Sequence, residues 1–149
     1  MTDISTIWDV ARGQGDWIIE GAALASGDDL VTATLISLFT DRTAEDSDVI
    51  PDGGVDRRGW WGDTGQDVPI GSRLWLLSRS KLTGAVATAA KGYASESLAW
   101  MLADGVAVDV QVTAVIVLPR QLRLTVTILR ADGTKASLAY DWAWAQITA

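Results

Sequence analysis

The last forty residues constrain the fold of this chain more than any other stretch, because they alternate apolar and polar with a period of two. Val106, Val108, Val110 and Val112 fall on one face of a first run, and Leu122, Leu124, Val126 and Ile128 on one face of a second. Successive side chains of a strand point to opposite sides, so each run predicts a half-buried strand. Pro119-Arg120 separates the two runs, and Asp132-Gly133 is a strong hairpin turn into a third. That third strand puts Leu138, Tyr140, Trp142 and Trp144 on one face, with Ala139, Asp141 and Ala143 on the other. An antiparallel three-stranded meander follows, and its apolar face needs a cover.

Two helical patterns upstream supply it. Ser26-Gly27-Asp28-Asp29 carries a capping serine and first-turn acids. Leu30, Val31, Leu35, Leu38 and Phe39 follow near helical spacing, which predicts a helix over 27–41. Ser72 opens a short apolar turn, Arg73 to Leu77. Thr83 then caps a longer helix with Val86, Ala89, Ala90, Tyr93, Leu98, Trp100 and Met101, closed by Gly105. Its alanines predict close approach to the sheet. Ile4 to Val10 and Asp16 to Glu20 read as a weak strand or arm, with Gly13-Gln14-Gly15 as the turn between them. The expected fold is α+β: a C-terminal antiparallel meander against two main helices, a long structured loop between those helices, and one domain over 1–149.

The loop from Asp41 to Gly71 holds six glycines, two prolines and eight acids, with no sustained period. Within it, Asp56-Arg57-Arg58-Gly59-Trp60-Trp61-Gly62-Asp63 sets two adjacent tryptophans where a solvated loop has no use for them. Each indole buries roughly 150–250 Å² when covered, worth several kcal/mol at about 25 cal/mol per Å². A loop of this length that is not disordered is ordered by docking. We expect at least one of the two indoles to be largely buried within its own chain. Arg57 and Arg58 are expected to staple the loop through neighbouring carboxylates such as Asp56 and Asp63.

Composition excludes much chemistry. Cysteine and histidine are both absent, which removes disulfides, thiolate and imidazole metal sites, the Ser-His-Asp triad and the cysteine nucleophile. Residues 1–67 hold 14 acids and 4 bases, whereas residues 68–149 hold 5 acids and 8 bases, so the net charge of −7 conceals a bipolar chain. A net acidic chain has no basic field for nucleic acid or anionic membrane. The longest apolar run, 112–118, is too short to span a bilayer, and the N-terminus does not read as a secretory signal, so a soluble protein is expected.

Three chemical readings remain. Asp46, Asp48 and Asp52 offer hard oxygens at short spacing, but not in the calcium-binding helix-loop-helix pattern, and a turn-rich loop is the default. A carboxylate pair for glycoside hydrolysis would have to draw on few glutamates: Glu20, Glu45 and Glu96 are the whole set, and nothing local marks Glu20 or Glu96 as catalytic. Gly13-Gln14-Gly15 lacks the lysine and hydroxyl of a phosphate loop. No catalytic, cofactor-binding or metal-binding residue is therefore assigned, and no enzyme activity is expected. Trp75 and Trp100 read as core. Trp142 and Trp144 lie on the final strand, a position where a strand often forms an open edge, and are candidates for contact with another chain.

Thr32 to Arg42, Asp56 to Asp63, Gly71 to Arg79 and Tyr140 to Trp144, taken in order and at their spacing, resemble the gene-product-forty-six family of Mu-like phages. The Arg-Gly-Trp-Trp-Gly and Asp-Trp-Ala-Trp pieces are the specific ones. The resemblance implies a structural tail-baseplate protein of a contractile injection machine, similar to the wedge component once called lysozyme-like in T4 and now seen as a sheath initiator. It implies six copies around the tail hub or central spike, wedge subunits and tail sheath protein as partners, a place in the virion, and assembly in the host cytoplasm. Strand pairing would template the first sheath ring. Arg57, Arg58, Trp60, Trp61, Trp142 and Trp144 are the expected partner-binding residues, and a tail-associated cell-wall hydrolase is the alternative. The wider group's Glu-Pro-Arg motif is missing where this chain reads Met101 to Val106, so no role passes from it to a named residue.

Overall fold

Alternation in the last forty residues becomes a sheet whose middle strand buries one whole face. The computed structural model describes residues 3–4, 6–12, 14–17, 19–20, 23–24, 26–27, 29–78, 80–117 and 121–143. In chain order the elements are β1 (Asp3–Ile4), β2 (Thr6–Asp9), β3 (Gln14–Trp17), β4 (Ile19–Glu20), β5 (Ala23–Leu24), β6 (Ser26–Gly27), α1 (Asp29–Phe39), α2 (Gly84–Ala103), β7 (Asp109–Val117), β8 (Gln121–Leu129) and β9 (Lys135–Ala143). Two short 3₁₀ turns, Trp61–Asp63 and Arg73–Leu77, lie between the helices. The fold class is α+β.

β7, β8 and β9 form an antiparallel sheet in that order, with Val112 opposite Val126 and Leu124 opposite Tyr140. Leu122, Leu124, Val126 and Ile128 on the central strand have no exposed surface. The first run departs from its expected face. β7 begins only at Asp109, and Val106 and Val108 stand 42% and 61% exposed ahead of it, with Ala107 taking the buried place between them. The helix stop is responsible: Gly105 adopts φ +73° after the Asp104 C-cap, and the Ala107 amide donates back to the Met101 carbonyl. The Pro119-Arg120 turn lies outside the described residues.

α2 starts where Thr83 caps it, the Thr83 hydroxyl accepting from the Val86 amide, and runs twenty residues without interruption at Gly92. Ala87, Ala90, Ala94, Ser97, Leu98 and Met101 form its buried stripe, and the small members let the helix axis lie close over β7. α1 is shorter than the expected 27–41. Ser26 and Gly27 are taken by β6, paired with β1, and Asp41 has already turned away to bridge Ser72. Two of its buried hydroxyls are satisfied within the helix, Thr34 donating to the Leu30 carbonyl (2.7 Å) and Ser37 to the Ala33 carbonyl (2.8 Å).

The N-terminal arm is a set of two-stranded ribbons, β1–β6, β2–β3 and β4–β5. The β2–β3 turn falls on residues 10–12, and Gln14 and Gly15 are already strand rather than the expected turn. Trp8 of β2 stacks on Phe39 at 3.6 Å between ring centroids, and Phe39 meets Tyr140 edge-on at 5.6 Å. This aromatic chain links the arm to the end of α1 and to β9. No helix among the described residues is long and apolar enough to cross a membrane.

Candidate interaction surface

The acidic loop is closed at its base by backbone pairing between residues thirty apart. Ser72 donates its amide to the Thr40 carbonyl (2.9 Å), Arg42 donates to the Ser72 carbonyl (3.0 Å), and the Ser72 hydroxyl donates to the Leu38 carbonyl. Gly71 makes this closure possible. It sits at φ +93°, and a Cβ there would lie 2.2 Å from the Thr40 oxygen.

Arg73 is the centre of the loop's electrostatics. Its guanidinium grips Glu96 of α2 in a two-pronged pair, Nε to Oε1 at 2.9 Å and Nη2 to Oε2 at 2.8 Å. Nη1 reaches both oxygens of Asp48, at 3.0 and 2.9 Å, with Glu45 Oε2 at 3.5 Å. One side chain thus ties the loop to the long helix. The fork geometry suits arginine, and its charged form is held well above the ordinary range, first by the hydrogen bond to Glu96, against some loss from burial. The guanidinium also lies 4.8 Å over the Tyr93 ring. Burial, followed by the nearby Asp48 charge, raises the Tyr93 hydroxyl above its usual value.

Arg57 and Arg58 do staple the loop internally, though through other groups than Asp56 and Asp63. The Arg57 guanidinium donates to the backbone carbonyls of Glu45 (2.6 Å) and Asp46 (3.2 Å). Arg58 pairs with Asp41 at 2.6 Å, and its guanidinium lies 4.5 Å over the Trp75 ring. Asp56 accepts from the Arg58 amide instead, supporting a left-handed backbone at φ 53°. Asp63 accepts from the Ile70 amide. Trp75 is buried, as expected of a core residue, and donates its indole N–H to the Arg42 carbonyl at 2.7 Å.

The expectation that one indole of the central pair would be buried fails. Trp60 is 45% exposed and Trp61 83% exposed. The backbone explains why. Gly59 at φ +108° runs against Thr43, and Trp60 folds its ring onto Gly62, leaving no room for a Cβ there. The 3₁₀ turn that follows is held by the Asp63 amide on the Trp60 carbonyl (3.0 Å) and the Thr64 hydroxyl on the Trp61 carbonyl (3.0 Å). The two rings meet at 5.3 Å, tilted by 47°, beside a shallow concavity of about 420 Å³ with Thr43, Arg58 and Asp63 in its wall. The pair rests on itself and on glycine backbone, so the loop is ordered without burying it. Arg73 and Glu96, which order that loop, carry no local signal as a pair because they lie 23 residues apart on different elements.

Of the remaining sequence-marked residues, Asp48 and Glu96 are brought together on Arg73. Trp142 lies on β9 with its Cα opposite that of Leu122; its side chain, and Trp144 entirely, lie outside the described residues. β9 is an outer strand of its sheet. Of the candidate calcium ligands, Asp48 is engaged by Arg73 and by the Glu45 amide, Asp52 accepts from Gly54, and Asp46 offers its carbonyl to Arg57. Among the described residues no three acidic side chains gather as metal ligands. Glu96 has both oxygens on Arg73, and Glu20 ends β4. Trp100 is half-buried, its N–H on the Ser37 hydroxyl at 2.9 Å.

Comparison with known proteins adds three findings. A family model described as phage protein GP46 matches residues 30–135. The baseplate protein gp46 of Escherichia phage Mu is 46% identical over 134 residues, covering 90% of this chain and 91% of that protein. The Mu-like prophage FluMu protein gp46 of Haemophilus influenzae is 35% identical over 145 residues, covering 97% and 98%.

Proposed function

The chain belongs to the phage protein GP46 family, and from that premise we propose that it is a non-enzymatic structural component of a phage tail baseplate, working as a single domain. The observation that carries this reading is the near full-length match to a protein named as a baseplate component. In the finer form of the proposal it sits in six copies around the central spike or hub, joins wedge subunits, and templates the first ring of tail sheath. It assembles in the host cytoplasm and resides in the virion tail.

Two features suit such a role. The first is the Trp60–Trp61 pair, held open on an internally cross-braced loop. Its exposed shares amount to roughly 200–300 Å² on the usual area of a buried indole, which at about 25 cal/mol per Å² makes on the order of 5 kcal/mol recoverable when a partner covers it. Preorganised aromatics of this kind are what interface anchors consist of. The second is β9, an outer strand of its sheet among the described residues, whose edge is suited to pairing with a strand from a sheath subunit. Arg57 and Arg58 serve this surface by bracing it, Arg58 leaving part of its guanidinium at the rim.

Incorporation into assembled tails tests the proposal. Trp61→Ala is expected to leave stability within about 0.5 kcal/mol of the parent, as surface changes do, while reducing capture by baseplate components; Trp142→Lys or Trp144→Lys should leave a folded protein that fails to start sheath, and an unfolded product would instead make these residues core. Normal tails from all three variants would defeat the assignment of these residues. The hydrolase alternative draws no support from Glu96, which is held by Arg73. Peptidoglycan turnover by the parent chain that is lost in Glu96→Gln or Glu20→Gln would restore it.

A further inference from the structure

A second concavity, sharing no residue with the tryptophan pair, runs between α1, α2 and the stretch 66–71, with a volume of about 700 Å³. Its walls are mostly apolar: Ala33 and Ile36 from α1, Trp100 and Ala103 from α2, Val68 and Pro69 from the loop. Ile36 is 46% exposed and Val68 62%, so this apolar surface stands in water. The frame around it is stiff. Trp100 is hydrogen-bonded to Ser37 across the two helices, and Glu96 is clamped by Arg73.

Among the described residues lining this groove, acids outnumber bases. α2 ends at it with Asp104 as the C-cap, and neither α1 nor α2 has a basic residue in its last turn. The C-terminal end of a helix carries a partial negative charge that cations stabilise, and here an acid stands in the cation's place. Asp67 lines the groove from the stretch 66–71 and is exposed. Arg42, the basic residue of the lining, is already within 3.8 Å of Glu96. Neither Asp67 nor Asp104 has an ion pair among the described residues.

We propose that this groove receives an amphipathic segment of another protein, with apolar side chains against Ile36, Val68 and Trp100 and a lysine or arginine between Asp67 and Asp104. Charge complementarity selects that occupant. An acidic segment meets two unpaired carboxylates and a helix C-terminus, and a purely apolar one leaves all three unanswered. The volume lies within the range of pockets that enclose a few side chains, and an apolar channel flanked by helices is how amphipathic segments are usually seated.

The test uses the intact chain and three blocked octapeptides of one leucine pattern, whose polar positions are all lysine, all glutamine or all glutamate. Indole N–H resonances report the site, Trp100 for this groove and Trp61 for the other surface. The lysine peptide is expected to saturate below about 1 mM, to shift Trp100 and not Trp61, and to bind at least about fivefold tighter than the glutamine peptide. Asp67→Asn with Asp104→Asn should abolish that preference. Ala103→Arg, at an exposed position, should block the peptide while leaving the melting temperature unchanged. Equal binding of the three peptides, shifts confined to Trp61, or no binding would each overturn the proposal. So would concentration-dependent self-association relieved by Ala103→Arg, which would give the groove to a second copy of the chain.

Discussion

Removing the Arg73 side chain should be the most informative single change, because one guanidinium joins the loop to the long helix. In Arg73→Met the apolar stem is largely kept, and the loss is electrostatic. The three side chains are 13%, 11% and 29% exposed for Arg73, Asp48 and Glu96. Breaking a buried pair by deleting one partner costs about 3–5 kcal/mol. Glu96 is open enough to rehydrate in part and keeps Arg42 at 3.8 Å, and Asp48 keeps the Glu45 amide. These remnants bring the expected loss to about 2–4 kcal/mol by urea denaturation. Adding Glu96→Gln to the variant should cost less than it does in the parent, with a coupling of about 1–2 kcal/mol. Arg73→Lys should fall between, since an ammonium cannot make the two-pronged contact. Amide exchange should accelerate over residues 44–64 while β8 stays protected, because the loop is freed before the sheet. A loss below about 1 kcal/mol, or additivity of the two changes within about 0.5 kcal/mol, would refute the bracing role.

Two further predictions follow from other parts of the fold. The Tyr140 hydroxyl is buried with no hydrogen-bond partner among the described residues, so Tyr140→Phe is expected to be neutral or stabilising by up to about 1 kcal/mol in thermal or chemical melts. Burial pushes that hydroxyl up to about 12; between the ordinary value near 10 and that point the unfolded chain ionises while the folded one holds its proton, so stability should decline with rising pH there, and Tyr140→Phe should flatten the decline. Gly71→Ala should destabilise by at least about 2 kcal/mol, the left-handed backbone and the Thr40 carbonyl leaving no place for a methyl group; a melt within 0.5 kcal/mol of the parent would contradict the loop closure.

Local signals in the chain located the two main helices and the three meander strands to within a few residues. The Thr83 cap, the Gly105 stop and the Asp132-Gly133 turn each act over three or four residues, and they appear where expected. Boundaries slipped where a partner distant in sequence intervened. α1 lost its first residues to β6, which pairs with β1, and β7 began late because the helix stop draws the chain back onto Met101. The sequence marks Trp60 and Trp61 as an anomaly and makes Arg57 and Arg58 internal staples, but it does not select their partners. Asp41 is 17 residues from Arg58, and no local rule selects it over Asp56.

By itself the sequence determined the meander, the two covering helices and the structured loop between them, since periodicity, caps and turn residues act on neighbours and need no knowledge of the whole. Burial was another matter. Whether an indole is covered depends on what the folded chain brings against it, and Gly59 and Gly62 steer the pair outward instead of onto the helices. The Arg73 hub and the groove between the helices exist only after residues 23 to 63 apart are brought together. The tertiary structure alone decided these, because they depend on long-range contacts that no short stretch of this chain encodes.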